Sequence, residues 1–177
     1  MEHVPLSVVA SMVPFNFPNM VQNWTIPNAI ALGNCMILKS SEKVPLSAGK
    51  LAELLKEASL PDGGFNIVNG DAEIVEAICD HLGIEAVSFV GSTKIAKIVY
   101  QRATHNFKRC VALGGAKNHL MVLPDAIPEM TGQNVAASMS GCAGQRSMAA
   151  SARQLPRTLY HRLCGYPAAL IIKFIYL

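Results

Sequence analysis

The chain has 177 residues, of which 51% are hydrophobic and 15% are charged, a composition that supports a packed core and excludes a disordered protein. The formal net charge is +3, but no Asp or Glu occurs after Glu129, so positive charge is concentrated in the C-terminal part. That part has no dense basic cluster and no binding motif, so we expect no nucleic-acid partner; a change of reading frame or a foreign exon explains the asymmetry at least as well.

Between about residues 20 and 125, the sequence alternates between helical and strand-like spacing of apolar residues. A helix is predicted over 21–33, where Pro27 interrupts the pattern. Three further helices are predicted from their apolar faces: Leu51, Leu54, Leu55 and Ala58; Ile74, Val75, Ile78 and Leu82; and Ile95, Ile98 and Val99. Strands are predicted at 35–39, 65–68 and 86–90, and near 110–113 and 120–123. This alternation predicts an α/β fold with a doubly wound, mostly parallel sheet.

Two predicted strand ends carry side chains suited to a nucleotide. Gly91 and Ser92 follow one strand, where backbone N–H groups at a helix start could meet a phosphate; a simple helix cap is the alternative. Lys39 ends another predicted strand and Glu42 follows it. Open α/β sheets bind ligands at this edge, so the two side chains could hold ribose hydroxyls from two sides. A solvated charged turn is the alternative there.

The sequence Pro-Phe-Asn-Phe-Pro at 14–18 holds an asparagine between two prolines. The amide of Asn16 could donate to a developing oxyanion. A rigid turn that packs Phe15 and Phe17 into a core is the alternative.

Residues 141–149, Gly-Cys-Ala-Gly-Gln-Arg-Ser-Met-Ala, place Ser147 at a candidate nucleophile position. A serine hydroxyl needs a neighbouring base to attack. We expect His105 and His119 to be structural or surface histidines rather than that base. Cys142 is five residues from position 147, and we expect it to be a small buried cysteine rather than a substitute nucleophile.

Five segments in register resemble the aldehyde dehydrogenase superfamily over residues 12–150. They are Pro-Phe-Asn-Phe-Pro at 14–18, Lys-Ser-Ser-Glu at 39–42, Phe-Val-Gly-Ser at 89–92, Gly-Ala-Lys-Asn-His at 115–119 and Gly-Gln-Arg at 144–146. The fourth segment, with Phe15 and Ile-Cys-Asp-His at 78–81, is most similar to the CoA-acylating methylmalonate-semialdehyde and malonate-semialdehyde dehydrogenases. The resemblance implies a fragment of such an enzyme, dominated by its Rossmann-like NAD-binding domain.

The resemblance also implies a role for each matching residue. Asn16 stabilises the oxyanion, residue 147 is the nucleophile, and the Arg146 guanidinium pairs with the substrate carboxylate. The remaining residues surround NAD: Lys39 and Glu42 at the adenosine ribose, Ser92 near the pyrophosphate, and Val13, Phe15, Lys43 and Gly91 along the rest of the cofactor site. No metal is implied.

Two departures from the family pattern bear on activity. Ser147 stands where the family has cysteine, whose thiol is far more ionised near neutrality than a hydroxyl. Family members also have strands before residue 14, a long catalytic half after the nucleophile loop and an oligomerisation arm, all of which we expect to be missing here. We predict an NAD-binding domain at 12–125, the start of a catalytic domain at 126–150 and an unrelated tail at 151–177.

The activity implied by the resemblance is oxidative decarboxylation of methylmalonate or malonate semialdehyde to propanoyl-CoA or acetyl-CoA. NAD accepts the hydride and coenzyme A accepts the acyl group. We expect the chain to be inactive on its own, because of Ser147 and the missing half. The alternatives are a non-enzymatic NAD-binding or interaction module, and a serine hydrolase using Ser147, although the sequence has no Gly-x-Ser-x-Gly elbow.

The expected partners are a small semialdehyde and, in the family, further copies of the chain. Five scattered cysteines without a Cys-x-x-Cys pair fit a reducing compartment and argue against a zinc site. No secretory or transit peptide is recognisable, and the apolar stretch at 168–177 is too short to span a membrane as a helix. By family resemblance we expect a mitochondrial role in valine catabolism, and otherwise a cytoplasmic protein.

Overall fold

The structure, a computed structural model, describes residues 4–154. It divides into two compact units between Gly115 and Ala116, and each unit is described by itself. Most of the predicted tail, residues 155–177, lies outside the described residues.

The first unit alternates strands and helices. In chain order, its elements are β1 (Val8–Met12), a 3-10 turn (Gln22–Trp24), α1 (Ile26–Ala31), β2 (Cys35–Lys39), α2 (Leu46–Glu57), β3 (Phe65–Val68), α3 (Ala72–Asp80), β4 (Ala86–Val90), α4 (Thr93–His105) and β5 (Arg109–Leu113). The strands form a parallel sheet in the order β3-β2-β1-β4-β5. The predicted α/β fold with a parallel, doubly wound sheet is confirmed.

Strand β1 occupies the centre of this sheet and was not among the predicted strands. It pairs with β2 on one side and β4 on the other, so that Met12 lies opposite both Lys39 and Phe89. The run Val-Val-Ala-Ser-Met is almost continuously apolar, as in strands buried on both faces, and such short runs have no diagnostic period.

Two buried clusters lie on opposite faces of the sheet. Ala10 and Met12 belong to the cluster beneath α3 and α4. Met36 and Leu38, whose partners on β1 are Val9 and Ser11, belong to the cluster beneath α1 and α2. Because alternate residues of a strand point to opposite faces, this division places helices on both sides of the sheet.

The predicted helical faces need corrections. Leu54 of α2 is 48% exposed, and Ala58, which follows the end of α2, is exposed. Leu82 follows the end of α3 and is 92% exposed. Ile95 and Ile98 are exposed, because α4 turns its small residues Ala96 and Ala103, together with Val99, toward the sheet. Pro27 does not interrupt a helix: α1 begins at Ile26, and proline fits the first turn because its missing N–H would have no helical partner there.

The amino edge of the sheet is held by one buried lysine. Lys108, 7% exposed, donates from Nζ to the carbonyl oxygens of His81 at 2.5 Å and Ile84 at 2.6 Å. Burial of an ammonium requires such partners. The loops before β4 and β5 are therefore tied together at this edge.

The second unit contains β6 (Asn118–Met121), α5 (Pro128–Ser140), a 3-10 segment (Gly141–Gly144) and β7 (Ala150–Gln154). Strands β6 and β7 are parallel, with an irregularity between Asn118 and His119. In neither unit does a helix within residues 4–154 have the length and apolar character that a membrane crossing would require.

Burial of Cys79 predicts a loss of stability at alkaline pH. The side chain is 0% exposed, and desolvation, with a smaller contribution from Cys110, raises the pKa of its thiol from 9.0 to about 11. As pH rises, the unfolded chain loses this proton first, so the unfolded state is favoured. The free energy of unfolding should fall by roughly 2 kcal/mol from this group between pH 9 and pH 11.

Urea titrations across this range should show a weaker pH dependence in the Cys79→Ala variant. The Cys35→Ala variant is the control, because Cys35 is exposed. An identical slope in all three proteins would contradict the assignment.

Candidate functional site

The carboxyl ends of β1, β2 and β4 form the candidate site. In the observed strand order, β2 and β3 lie on one side of β1, and β4 and β5 lie on the other. Open α/β sheets bind ligands at such a reversal, outside the carboxyl ends of the strands. The residues predicted for the cofactor and for the oxyanion amide in this unit all end or follow those three strands: Val13, Phe15, Asn16, Lys39, Glu42, Lys43, Gly91 and Ser92.

A buried lysine and a half-exposed glutamate face one another after β2. The Lys39 side chain is 8% exposed and that of Glu42 is 48% exposed, and Lys39 Nζ lies 3.2 Å from Glu42 Oε2. A backbone hydrogen bond within Glu42, and next the hydrogen bond from Lys39, hold the pKa of this carboxyl below its usual value. The pair thus presents a fixed cation and an ionised carboxylate, one donor and one acceptor for a diol.

The ends of β1 and β2 are also joined directly. The N–H of buried Val13 donates to the Lys39 carbonyl oxygen at 3.2 Å. Lys43 Nζ lies 4.6 Å from the centroid of the Phe15 ring, a cation–π contact. Four of the predicted cofactor residues therefore form two contact pairs, Val13 with Lys39 and Phe15 with Lys43, after the ends of β1 and β2.

Gly91 and Ser92 connect β4 to α4. Ser92 is the N-cap, and its Oγ accepts from the Ile95 N–H at 3.5 Å. The cap considered as an alternative is therefore present, and it orients the first turn of α4 toward the carboxyl edge. Gly91 is needed for space: an added Cβ would lie 2.6 Å from Phe89 Cζ.

The two aromatic residues around Asn16 have different environments. Phe17 packs against the buried cluster beneath α1 and α2, whereas Phe15 is 40% exposed. The alternative in which both rings enter the core is therefore wrong. Asn16 is partly buried between them, in the bend that follows β1.

Arg146 and Ser147 lie in the second unit, and both are exposed. The Ala149 N–H donates to the Arg146 carbonyl oxygen at 3.0 Å, which closes a turn with Ser147 and Met148 at its centre. Within the described part of the chain, no side chain donates to or accepts from Ser147 Oγ. No general base therefore adjoins this hydroxyl there.

Cys142 and the two histidines can now be compared with their predictions. The expectation of a buried Cys142 is wrong: the residue is exposed, because it lies in a tight segment where both it and Ala143 have a φ of 52°. His105 and His119 are exposed, as expected for surface histidines. Within residues 4–154, no three His, Cys, Asp or Glu side chains are placed to hold a metal.

Sequence reasoning missed two polar residues that hold these edges together. Ser40 Oγ donates to Asn69 Oδ1 at 3.0 Å, joining the ends of β2 and β3. Asn118 Nδ2 donates to the carbonyl oxygens of Ser147 at 2.6 Å and Ala149 at 3.0 Å. For Asn118, the available signal was an asparagine in a strand, an unfavourable placement that often marks a side-chain contact with backbone.

Comparison with known proteins gives one consistent family. The sequence model described as "Aldehyde dehydrogenase family" matches residues 1–166, which extends into the segment predicted as a tail. Malonate-semialdehyde dehydrogenase 1 of Geobacillus kaustophilus is 53% identical over 148 residues, covering 84% of this chain and 30% of that protein.

Two crystal structures agree with this result. One is a Sinorhizobium meliloti protein assigned as a methylmalonate-semialdehyde dehydrogenase and complexed with NAD; its TM-score is 0.89 at 43% identity, over 96% of this chain and 35% of that one. The other is the methylmalonate-semialdehyde dehydrogenase DddC of Oceanimonas doudoroffii, with a TM-score of 0.85 at 48% identity, over 90% and 33% of the two chains. The chain thus spans about a third of the length of the relatives it matches.

The tight environment of Gly91 predicts the effect of adding one methyl group. Gly91→Ala should lower the free energy of unfolding by about 1–3 kcal/mol, because the buried Phe89 ring must move. Gly49→Ala is the matched control: this α2 position has nothing within 4 Å of the added Cβ, and alanine should raise stability by about 0.5–1 kcal/mol. Equal effects in urea titrations would contradict the predicted clash.

Proposed function

We propose a function from the premise that the chain belongs to the aldehyde dehydrogenase family. In this proposal the NAD-binding domain spans residues 12–125 and residues 126–150 begin the catalytic domain, whereas the two compact units divide between Gly115 and Ala116. The longer protein that this sequence represents oxidises a short semialdehyde bearing a carboxylate, with malonate and methylmalonate semialdehyde as the substrates. Relatives and similar structures that carry these two names support the proposal.

One observation carries the proposal of NAD binding. The sheet register brings the ends of β1, β2 and β4 to the same edge, and there Lys39 and Glu42 offer a donor and an ionised acceptor 3.2 Å apart. Two vicinal hydroxyls of a ribose can bridge such a pair. The capped start of α4 adds free N–H groups and a positive dipole end for the pyrophosphate.

The reaction proposed for the longer protein is CoA-acylating. In the family pattern, a cysteine thiolate at the nucleophile position would attack the aldehyde carbon, and NAD would supply the chemistry of a two-electron hydride acceptor; this chain has Ser147 at that position. The acyl thioester passes to coenzyme A, and the carboxylate carbon leaves as carbon dioxide. In this chain, the parts proposed for that reaction are Asn16 as oxyanion donor and Arg146 as partner of the substrate carboxylate.

Residue 147 limits what this chain does alone. Ser147 has a hydroxyl in place of the thiol, and no base adjoins it among the described residues. The second candidate function, a non-enzymatic NAD-binding module, is favoured by the same observation. Both candidates require the cofactor site in the first unit.

Partners and location follow the family in this proposal. We infer that the longer protein forms homo-oligomers. The prediction of an unrelated tail at 151–177 stands against a family match that reaches residue 166. The relatives reported above are bacterial, so the mitochondrial location and the role in valine catabolism stay predictions, with a cytoplasmic location as the alternative.

The Lys39–Glu42 pair predicts which substitution weakens NAD binding. Titration of the full chain with NAD, followed by the fluorescence of half-exposed Trp24, should saturate. Lys39→Met keeps the buried aliphatic stem but removes the charged donor, so the dissociation constant should rise at least tenfold, as expected for a lost charge-assisted hydrogen bond.

Lys50→Met is the matched control for this titration. Lys50 also pairs with a glutamate three residues later, Glu53, but both side chains are exposed on α2. The affinity of this variant should equal that of the unsubstituted chain. The absence of saturation at millimolar NAD, or an unchanged affinity in Lys39→Met, would contradict the proposed site.

An activity assay tests whether the chain is an enzyme on its own. With malonate semialdehyde, coenzyme A and NAD, the chain should produce no NADH above background, because no activating base adjoins Ser147 among residues 4–154. NADH formation that the Ser147→Ala variant abolishes would contradict this expectation and favour an active enzyme. NAD binding without NADH formation fits the non-enzymatic module.

A further inference from the structure

We propose that Asn118 is the positioning residue of the turn that carries residue 147, and that it fixes the orientation of the Ser147–Met148 peptide. Its Nδ2 donates to two carbonyl oxygens of this turn, those of Ser147 at 2.6 Å and Ala149 at 3.0 Å. The inference rests on the proposed function only in taking residue 147 as the reactive position.

The orientation of the peptide between Ser147 and Met148 is the variable feature of this turn. Arg146 and Ala149 close it through one backbone hydrogen bond of 3.0 Å, and Ser147 and Met148 are its two central residues. In β-turns, the central peptide can face either of two ways, which is the difference between types I and II. The closing hydrogen bond is common to both orientations and does not choose between them.

Asn118 fixes which way the central peptide faces. The carbonyl oxygen of the central peptide belongs to Ser147, and it accepts from Asn118 Nδ2. Rotation of that peptide would carry the oxygen away and leave the amide one partner short. Both amide protons of Asn118 are used, because the second bond goes to Ala149.

Asn118 is itself held by neighbouring elements. The residue begins β6, where it pairs with Ala150 at the start of β7. The Ala150 N–H donates in turn to Ser138 Oγ of α5 at 3.1 Å. The turn is thus held at its centre by β6 and at its end by α5, although Ser147 and Met148 are themselves exposed.

This arrangement has a consequence for the chemistry at position 147. The direction of a side chain depends on the backbone on both sides of its Cα, so a fixed central peptide fixes the direction of the reactive group. Reacting groups lose large factors in rate when they are misplaced by about 1 Å. Asn118 touches neither a substrate nor the reacting atom, so its role is positioning.

Amide NMR of the full chain without NAD or substrate tests the inference. Asn118→Asp keeps the side-chain shape but removes both donors. We expect the Ser147 and Met148 amide signals to broaden or double as the central peptide samples both orientations. A urea titration of each variant separates this local change from unfolding.

Asn134→Asp is the matched control, since it makes the same change at an exposed position of α5 in the same unit. It should leave the turn signals unchanged. Asn118→Ala, which introduces no charge, should reproduce the effect and is decisive if the aspartate variant unfolds. Single sharp Ser147 and Met148 signals in Asn118→Ala, or equal changes in Asn134→Asp, would overturn the inference.

These readouts involve no cofactor, so a failure of NAD binding leaves them interpretable. Conversely, the affinity change expected in Lys39→Met is measured in a variant that retains Asn118.

Discussion

The central position of β1 is the constraint on which the first unit depends. Its five residues pair in parallel with β2 on one side, and four of them, Val9 to Met12, pair in parallel with β4 on the other. This double pairing brings the end of β1 beside the ends of β2 and β4, so that residues far apart in sequence meet at one edge. Without β1, Lys39 and Gly91 would belong to two unconnected strand pairs, and no common ligand edge would exist.

The sequence predicts much of this unit because its helices and outer strands have local signals. The bounds predicted for β2, β3 and β4 agree with the structure, and Ser92 starts α4 as its cap. β1 was missed because a short apolar run does not distinguish a strand from a helix. Ile95 was predicted on the buried face of α4 but is exposed, because helical spacing alone does not show which face of a helix packs against the sheet.

The sequence predicts which residues belong to the candidate site but not which contacts they make. Resemblance to a family supplies the residue types, but the hydrogen bond from Val13 to Lys39 depends on the register between β1 and β2, which are separated in sequence by a 3-10 turn and α1. Asn118 shows the limit most clearly. It was part of a recognised segment, yet its two hydrogen bonds to the turn around Ser147 depend on a pairing of β6 with β7 that no local pattern indicates.

The central claim is that the carboxyl edge of β1, β2 and β4 binds NAD, and mapping of amide chemical shifts during a titration with NAD tests it most directly. The account predicts that shift changes cluster at residues 13–16, 39–43 and 91–93. The amino edge, around Leu82 and Phe107, should remain unchanged. Changes confined to that opposite edge, or no changes at saturating NAD, would contradict it.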